Sequence, residues 1–231
     1  MSTAYVINLD ERIDRWQIIQ QDWKGVFPLV RVPAIRESPG WKGCALSHIK
    51  VVEEARARGE IFVLVWEDDC MPRNRHPRAI LELWNEIMYK LSLHGDKWDV
   101  VLGATSRARN GTTFNQPLST QHVKLHDLPH GFTTHWTLWN VYNTYDRLMQ
   151  YKESLTDPVD VFMFKTFRVK VVTPFLAEQR ESYSDIEERQ TNYSEWFDGA
   201  EREISAKVTS YSDVIQFGKL VGVQAPKFMA R

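Results

Sequence analysis

Glu67, Asp68 and Asp69 are three consecutive carboxylates, and they follow directly on Ile61-Phe62-Val63-Leu64-Val65-Trp66, an apolar run of strand length. Adjacent acids repel one another, and burial against apolar neighbours makes their charge costly. A divalent cation offsets that cost, and hard cations take carboxylate and phosphate oxygens. The triplet therefore reads as a Mg²⁺ or Mn²⁺ site for a phosphorylated substrate, with a solvated turn as the plainer alternative. Asp160 is a second chemical candidate. It follows Asp157-Pro158, which reads as a helix cap with proline at the first helical position. An acid in the first turn suits the helix dipole, and it is also a rigid place for a general base.

Basic and polar groups could serve the same chemistry. Arg12 and Arg15 are three apart, at the start of a helix that Asp10 could cap. They could hold a diphosphate by forked hydrogen bonds, or pair locally with Asp10, Glu11 and Asp14. Ser47 and His48 fall in the first turns of a helix expected from Cys44, near free amides that favour anions. His48 reads equally as a hydrogen-bonded structural residue. His122, His126, His130 and His135 lack the cysteine partners or the His-Glu-x-x-His spacing of a zinc site. Trp136 and Trp139 could stack on a sugar or base, or pack in the core.

Strands and helices must position these groups. Ala4–Leu9 reads as a first strand, followed by a helix through Gln20 and a short strand within Phe27–Ile35. Glu37–Gly43 reads as a loop, and Gly43 as a point of close backbone approach. A helix over Cys44–Arg58, ended by Gly59, leads into the acidic-ended strand. Beyond Pro72 come a basic loop, a helix over Ala79–Leu93, a strand over Trp98–Gly103, and a polar loop over Ala104–Pro117. Gly131–Trp139 includes a strand, and Val141–Tyr151 is helical. Lys170–Leu176 reads as an edge-like strand, because Pro174 interrupts it. The alternation of strand and helix is that of a layered α/β domain.

Bulk properties narrow the class. The chain has 231 residues, 43% hydrophobic and 26% charged, which suits a globular protein with one substantial domain. A net charge of -1 argues against a generally basic nucleic-acid surface. Cys44 and Cys70 do not suggest a disulfide scaffold. The start has no basic segment followed by a long apolar core, and no apolar run spans a bilayer, so a cytoplasmic protein is expected. Ser182-Tyr183-Ser184-Asp185 recurs at Ser210–Asp213 as a turn or cap, not a repeat. The tail, with Val214, Ile215, Phe217 and Leu220, could fold back or support self-association.

Three blocks resemble family 25 glycosyltransferases, the group of lipooligosaccharide and collagen galactosyltransferases. They are Val6-Ile7-Asn8-Leu9-Asp10-Glu11-Arg12-Ile13-Asp14-Arg15, then Gly43-Cys44-Ala45-Leu46-Ser47-His48, then Val65-Trp66-Glu67-Asp68-Asp69. They occur in the family's order over the first third of the chain, with weaker similarity through Gly131–Leu148, Pro158–Phe162 and Ser184–Ile186. The resemblance implies a GT-A-like, Rossmann-related mixed central sheet with helices on both faces. The glycosyltransferase domain is expected over 1–180, with a polar extension, 181–231, packed on it; that polar tail and the histidine-rich segment depart from the family's pattern.

The same resemblance implies inverting, metal-dependent transfer of a hexose, galactose or glucose, from a UDP-sugar. Asp69 is then the direct Mn²⁺ or Mg²⁺ ligand, with Asp68 next and Glu67 behind them. Asn8, Arg12, Arg15, Ser47 and His48 line the donor cleft. Asp160 is the base, with Asp157 and Asp185 as rivals. Trp66 stands where a smaller aliphatic residue is expected and could reshape the acceptor side. The acceptor could be a glycan, a protein hydroxyl or a hydroxylated nucleobase. A nucleotidyltransferase, a sugar phosphotransferase and an inactive nucleotide-sugar-binding module are the competing functions.

Overall fold

Apolar side chains alternate between two faces along each central strand. In β1 (Ala4–Asn8), Ala4 and Val6 point to one face and Ile7 to the other. In β3 (Phe62–Glu67), Leu64 and Trp66 share the first face, and Val63 and Val65 the second. A strand apolar on both sides needs cover on both sides. The computed structural model, which describes residues 2–73, 77–94, 97–108, 118–119, 122–184 and 189–206, supplies that cover.

The remaining strands of the main sheet are β2 (Leu29–Pro33), β5 (Val100–Leu102), β6 (Leu118–Ser119), β7 (Lys124–Asp127), β8 (Trp136–Asn140) and β9 (Val169–Thr173). Their order is β2-β1-β3-β8-β5-β9-β7-β6. β1 runs parallel to both β2 and β3, and β5 parallel to β9, while β8 is antiparallel to β3 and β5. This is the mixed α/β sheet anticipated above. β9 is not an edge strand, because it lies between β5 and β7. Pro174 follows its last residue, so the missing N–H interrupts no central ladder.

Helices α1 (Ile13–Asp22) and α3 (Pro77–His94) cover the first face with Ile19, Ile80, Leu83, Trp84, Ile87 and Leu91. Trp66 sits here, fully buried, with ring centroids 4.3 Å from Trp23 and 5.3 Å from Phe27. It fills the core. Truncating it to alanine would cost about 3–5 kcal/mol. Trp136 and Trp139 are buried as well, so the packing account of both holds. Helices α2 (Gly40–Ala57), α4 (Val141–Ser154) and α5 (Val159–Thr166) cover the second face. The helical stretch 194–206 joins them there, adding Phe197, Ala200 and Ile204 to the same apolar cluster.

Local departures have identifiable causes. Helix α2 begins at Gly40, inside the stretch that its glycines mark as loop. Gly43 is needed within the helix, since a Cβ there would stand 2.3 Å from the backbone oxygen of Ile35. Asp10 does not cap α1. Its carboxylate pairs with Arg31 at 3.0 Å, and Arg12 holds the cap position. Asp157 does not cap α5 either, where Pro158 takes that position and Asp157 pairs with Lys165 at 3.0 Å. After the acidic triplet the chain does not simply turn away. β4 (Cys70–Pro72) pairs antiparallel with β10 (Ala177–Gln179), and β11 (Ser182–Ser184) pairs with β12 (Arg189–Thr191). Asp185, most of the Ala104–Pro117 loop, the basic residues after Arg73 and the tail from 207 onward lie outside the described residues. No described helix is long and apolar enough to cross a membrane.

Candidate active site at the carboxyl ends of β1 and β3

The connection from β1 leads to β2 on one side, while β3 leads on toward β5 on the other. Ligands in open α/β sheets gather beyond the carboxyl ends of strands at such a reversal. Ile7 is in register with Glu67, so Asn8 comes level with Asp68. The Asn8 amide donates to Asp68 Oδ2 at 2.7 Å, and Arg15 Nη1 to Asp68 Oδ1 at 2.9 Å. Burial raises the Asp68 pKa, and Arg15 and Asn8 oppose that rise. Arg15 also donates to the carbonyl of Tyr183, which ties helix α1 to β11.

Strand alternation sends Glu67 the opposite way, toward α2 and β8. Thr134 Oγ1 donates to Glu67 Oε1 at 2.6 Å, and His48 Nε2 lies 3.5 Å from the same oxygen. Burial acts to raise the Glu67 pKa, but His48 and Thr134 outweigh it and leave the group lowered. His135 is buried beside it, and that burial lowers its pKa to about 4.

Asp69 faces a third neighbour. The β4–β10 pairing sets Gln179 level with Cys70, and Gln179 Nε2 donates to Asp69 Oδ2 at 3.3 Å. Asp69 Oδ1 and Gln179 Oε1 are both closed to solvent, with no hydrogen-bond partner among the described residues. Burial, then the charges of Glu67 and Asp68, push the Asp69 pKa up to about 8. Asp160 completes the group from the first turn of α5. Its Oδ1 accepts from the Val161 N–H at 2.8 Å. Burial raises its pKa against the backbone donors Val161 and Thr133, and Glu67 adds to the rise. Thr133 itself has φ +81, a conformation that costs a non-glycine residue about 1–3 kcal/mol and concentrates at functional sites.

No protein-family model matches the sequence, and no curated protein does. Solved structures with a similar chain path include A197 from STIV, at 12% identity and a TM-score of 0.44, covering 82% of this chain and 93% of that one. A glycosyltransferase involved in glycosylation of the major capsid of PBCV-1 matches at 8% identity and 0.43, over 86% and 98%. A 4-diphosphocytidyl-2C-methyl-D-erythritol synthase from Anaerococcus prevotii matches at 13% and 0.41, over 87% and 78%. These are likenesses of chain path and say nothing of the reaction.

The residues singled out in the sequence divide into two sets. Asn8, Arg15, His48, Glu67, Asp68, Asp69 and Asp160 converge on the strand ends. Arg12 instead grips Asp14 through two contacts of 3.1 Å, the local pairing considered above. Ser47 and His48 are not at the amides of a helix start, because α2 begins two turns earlier. Ser47 is fully buried as a clamp: its hydroxyl donates to the Gly43 carbonyl at 2.7 Å and accepts from the Ile35 N–H at 2.8 Å. Asp157 stays outside the group, with its charge spent on Lys165. Three neighbours were not anticipated. Gln179 arrives only through long-range strand pairing, and Thr134 through the β3–β8 register. Cys44 carried one local signal, its four-residue spacing from His48.

Proposed function

We propose that this chain is an inverting glycosyltransferase that moves a hexose from a UDP-sugar to an acceptor hydroxyl with the help of Mn²⁺ or Mg²⁺. The observation that carries the reading is Asp69 Oδ1, a carboxylate oxygen enclosed at a strand end with no hydrogen-bond donor among the described residues. Gln179, whose Nε2 donates to the other Asp69 oxygen, offers a second enclosed hard oxygen, Oε1, with no partner among the described residues. That donor set fits a cation which takes few protein ligands and completes its shell with phosphate and water oxygens. Bound there, the cation would neutralise charge on the departing nucleoside diphosphate.

The chain's own groups fill the remaining roles. Asp68 is committed to Asn8 and Arg15, so it fixes the loop that aims Asp69, and Arg15 lends positive charge beside the diphosphate. Asp160 is the proposed base. Its carboxylate is held by backbone donors at a helix start, and its raised pKa suits taking a proton from an attacking hydroxyl. In that step the acceptor oxygen forms a bond to the anomeric carbon, the bond to the diphosphate breaks, and the hydroxyl proton passes to Asp160.

Product analysis tests the reading. A panel of nucleotide sugars with Mn²⁺ and an acceptor screen should release the nucleoside diphosphate and a glycosylated product. Release of pyrophosphate would point to a nucleotidyltransferase. Donor binding with neither transfer nor metal-dependent hydrolysis would point to a binding module.

A further inference from the structure

Cys44, His48 and Glu67 each present a metal-ligating atom, and all three atoms lie within 4.8 Å of one another. Cys44 and His48 are four residues apart on α2 and therefore share a face of that helix. Glu67 meets them because strand alternation turns it away from Asp68 and toward α2. The His48 ring is fully buried; among the described residues its Nδ1 has no hydrogen-bond partner, and its Nε2 has only the Glu67 carboxylate oxygen, 3.5 Å away. A buried imidazole in that condition is costly, and metal ligation is one of the few arrangements that satisfies it.

We propose that Cys44, His48 and Glu67 form a binding site for Zn²⁺ or a similar borderline-soft divalent ion, distinct from the hard-cation position at Asp69. Thiolate and imidazole select such ions, whereas Mg²⁺ and Mn²⁺ prefer oxygen. The donor set is the kind seen where zinc keeps a fourth position open, with three mixed protein ligands. The spacing agrees. Nitrogen and oxygen ligands about 2.0 Å from a tetrahedral zinc stand about 3.3 Å apart, and His48 Nε2 lies 3.5 Å from Glu67 Oε1. Binding replaces the S–H bond of Cys44 with a sulfur–metal bond, and its proton leaves to solvent. Uptake should therefore release a proton and weaken as pH falls. The proposal stands apart from the glycosyl-transfer reading, because Cys44 and His48 have no part in the chemistry assigned to Asp69 and Asp160.

Cobalt(II) provides the test, since thiolate ligation gives a near-ultraviolet charge-transfer band and tetrahedral geometry gives intense visible bands. Metal-free, reduced protein should develop both and saturate at one equivalent. Zn²⁺ should bleach them, and excess Mg²⁺ should not. The chain has two cysteines, so a Cys70→Ala variant leaves Cys44 as the sole thiol and should keep the bands. Asp69→Asn should also keep them. Cys44→Ser should lose the charge-transfer band, and His48→Gln should weaken cobalt binding at least tenfold. Absence of the bands in the wild type, or their persistence in Cys44→Ser, would overturn the proposal. Should Cys44→Ser fail to fold, their absence from folded Cys70→Ala does the same. None of these results bears on transfer by Asp69 and Asp160, which the product analysis decides.

Discussion

Arg15 Nη1 reaches from helix α1 to Asp68 Oδ1 at 2.9 Å, and both side chains are almost wholly withdrawn from solvent. The middle acid of the triplet thereby takes the nearest positive charge, and among the described residues Asp69 has no ion pair of its own, feeling Arg15 only at longer range. Removing one member of a buried pair strands the other, so Arg15→Met should lower stability by about 3–5 kcal/mol. The double variant Arg15→Met, Asp68→Asn should regain part of that loss. Urea unfolding of the two proteins measures the difference, and a single variant as stable as wild type would refute the buried pairing.

Gly43 and Gly199 make opposite predictions from the same kind of residue. A Cβ on Gly43 would meet the Ile35 backbone oxygen at 2.3 Å, whereas one on Gly199 would meet nothing within 4 Å. Gly43→Ala must push α2 away from the chain leaving β2, which should cost about 1–3 kcal/mol. It should also shift His48, five residues further along the same helix. Gly199→Ala lies in the helical stretch 194–206, where alanine should add about 0.5–1 kcal/mol. Thermal melting of the two variants should give shifts of opposite sign.

The layered α/β fold was legible in the sequence because its strongest signals are local. Six apolar residues end in acids, and helices with apolar periodicity precede and follow them. The acids themselves were equally visible. Their orientation was not, because it depends on which face each residue takes and on what the opposing strand brings. Thr134 comes from the residues just before β8, which antiparallel register carries past the end of β3, and Gln179 from β10 by pairing with β4. Neither leaves a mark near residue 67. Gly40 and Gly43 carry a loop signal for a related reason. Propensity disfavours glycine in a helix, but the close approach of Ile35 overrides propensity.

Acid should weaken the fold through His126. This residue is buried in β7, with Nε2 2.6 Å from Thr173 Oγ1, and Lys124 and Asp127 are among the charged groups acting on it. Burial lowers its pKa from 6.5 to about 4. Above pH 6.5 the ring is neutral whether the chain is folded or not. Between 6.5 and 4 the unfolded chain binds the proton more readily, so this residue's contribution to stability falls as pH falls. His126→Gln should keep a polar partner for Thr173 and remove that slope. Unfolding free energies for both proteins over pH 4–7 check it. Parallel curves would show that His126 titrates normally.

Asp69 and Asp160 should separate cation binding from proton transfer. A ligand held only by the folded state stabilises it by about 2.7 kcal/mol at a hundredfold excess over its dissociation constant. Mn²⁺ with nucleotide should therefore raise the melting temperature of the wild type. It should do the same for Asp160→Asn, whose change lies on α5 and leaves Asp69 and Gln179 in place. Asp69→Asn should lose the shift, because the amide that replaces the orphaned oxygen binds a hard cation far less well. Transfer should fall in both, but Asp160→Asn should lose about 10²–10⁴-fold in turnover with donor binding intact, the usual effect of removing a general base. Calorimetric donor titration beside single-turnover assays distinguishes the two losses. Normal turnover in Asp160→Asn would remove it from the mechanism, and Asp157, tied to Lys165 at 3.0 Å, would be the described acid to substitute next.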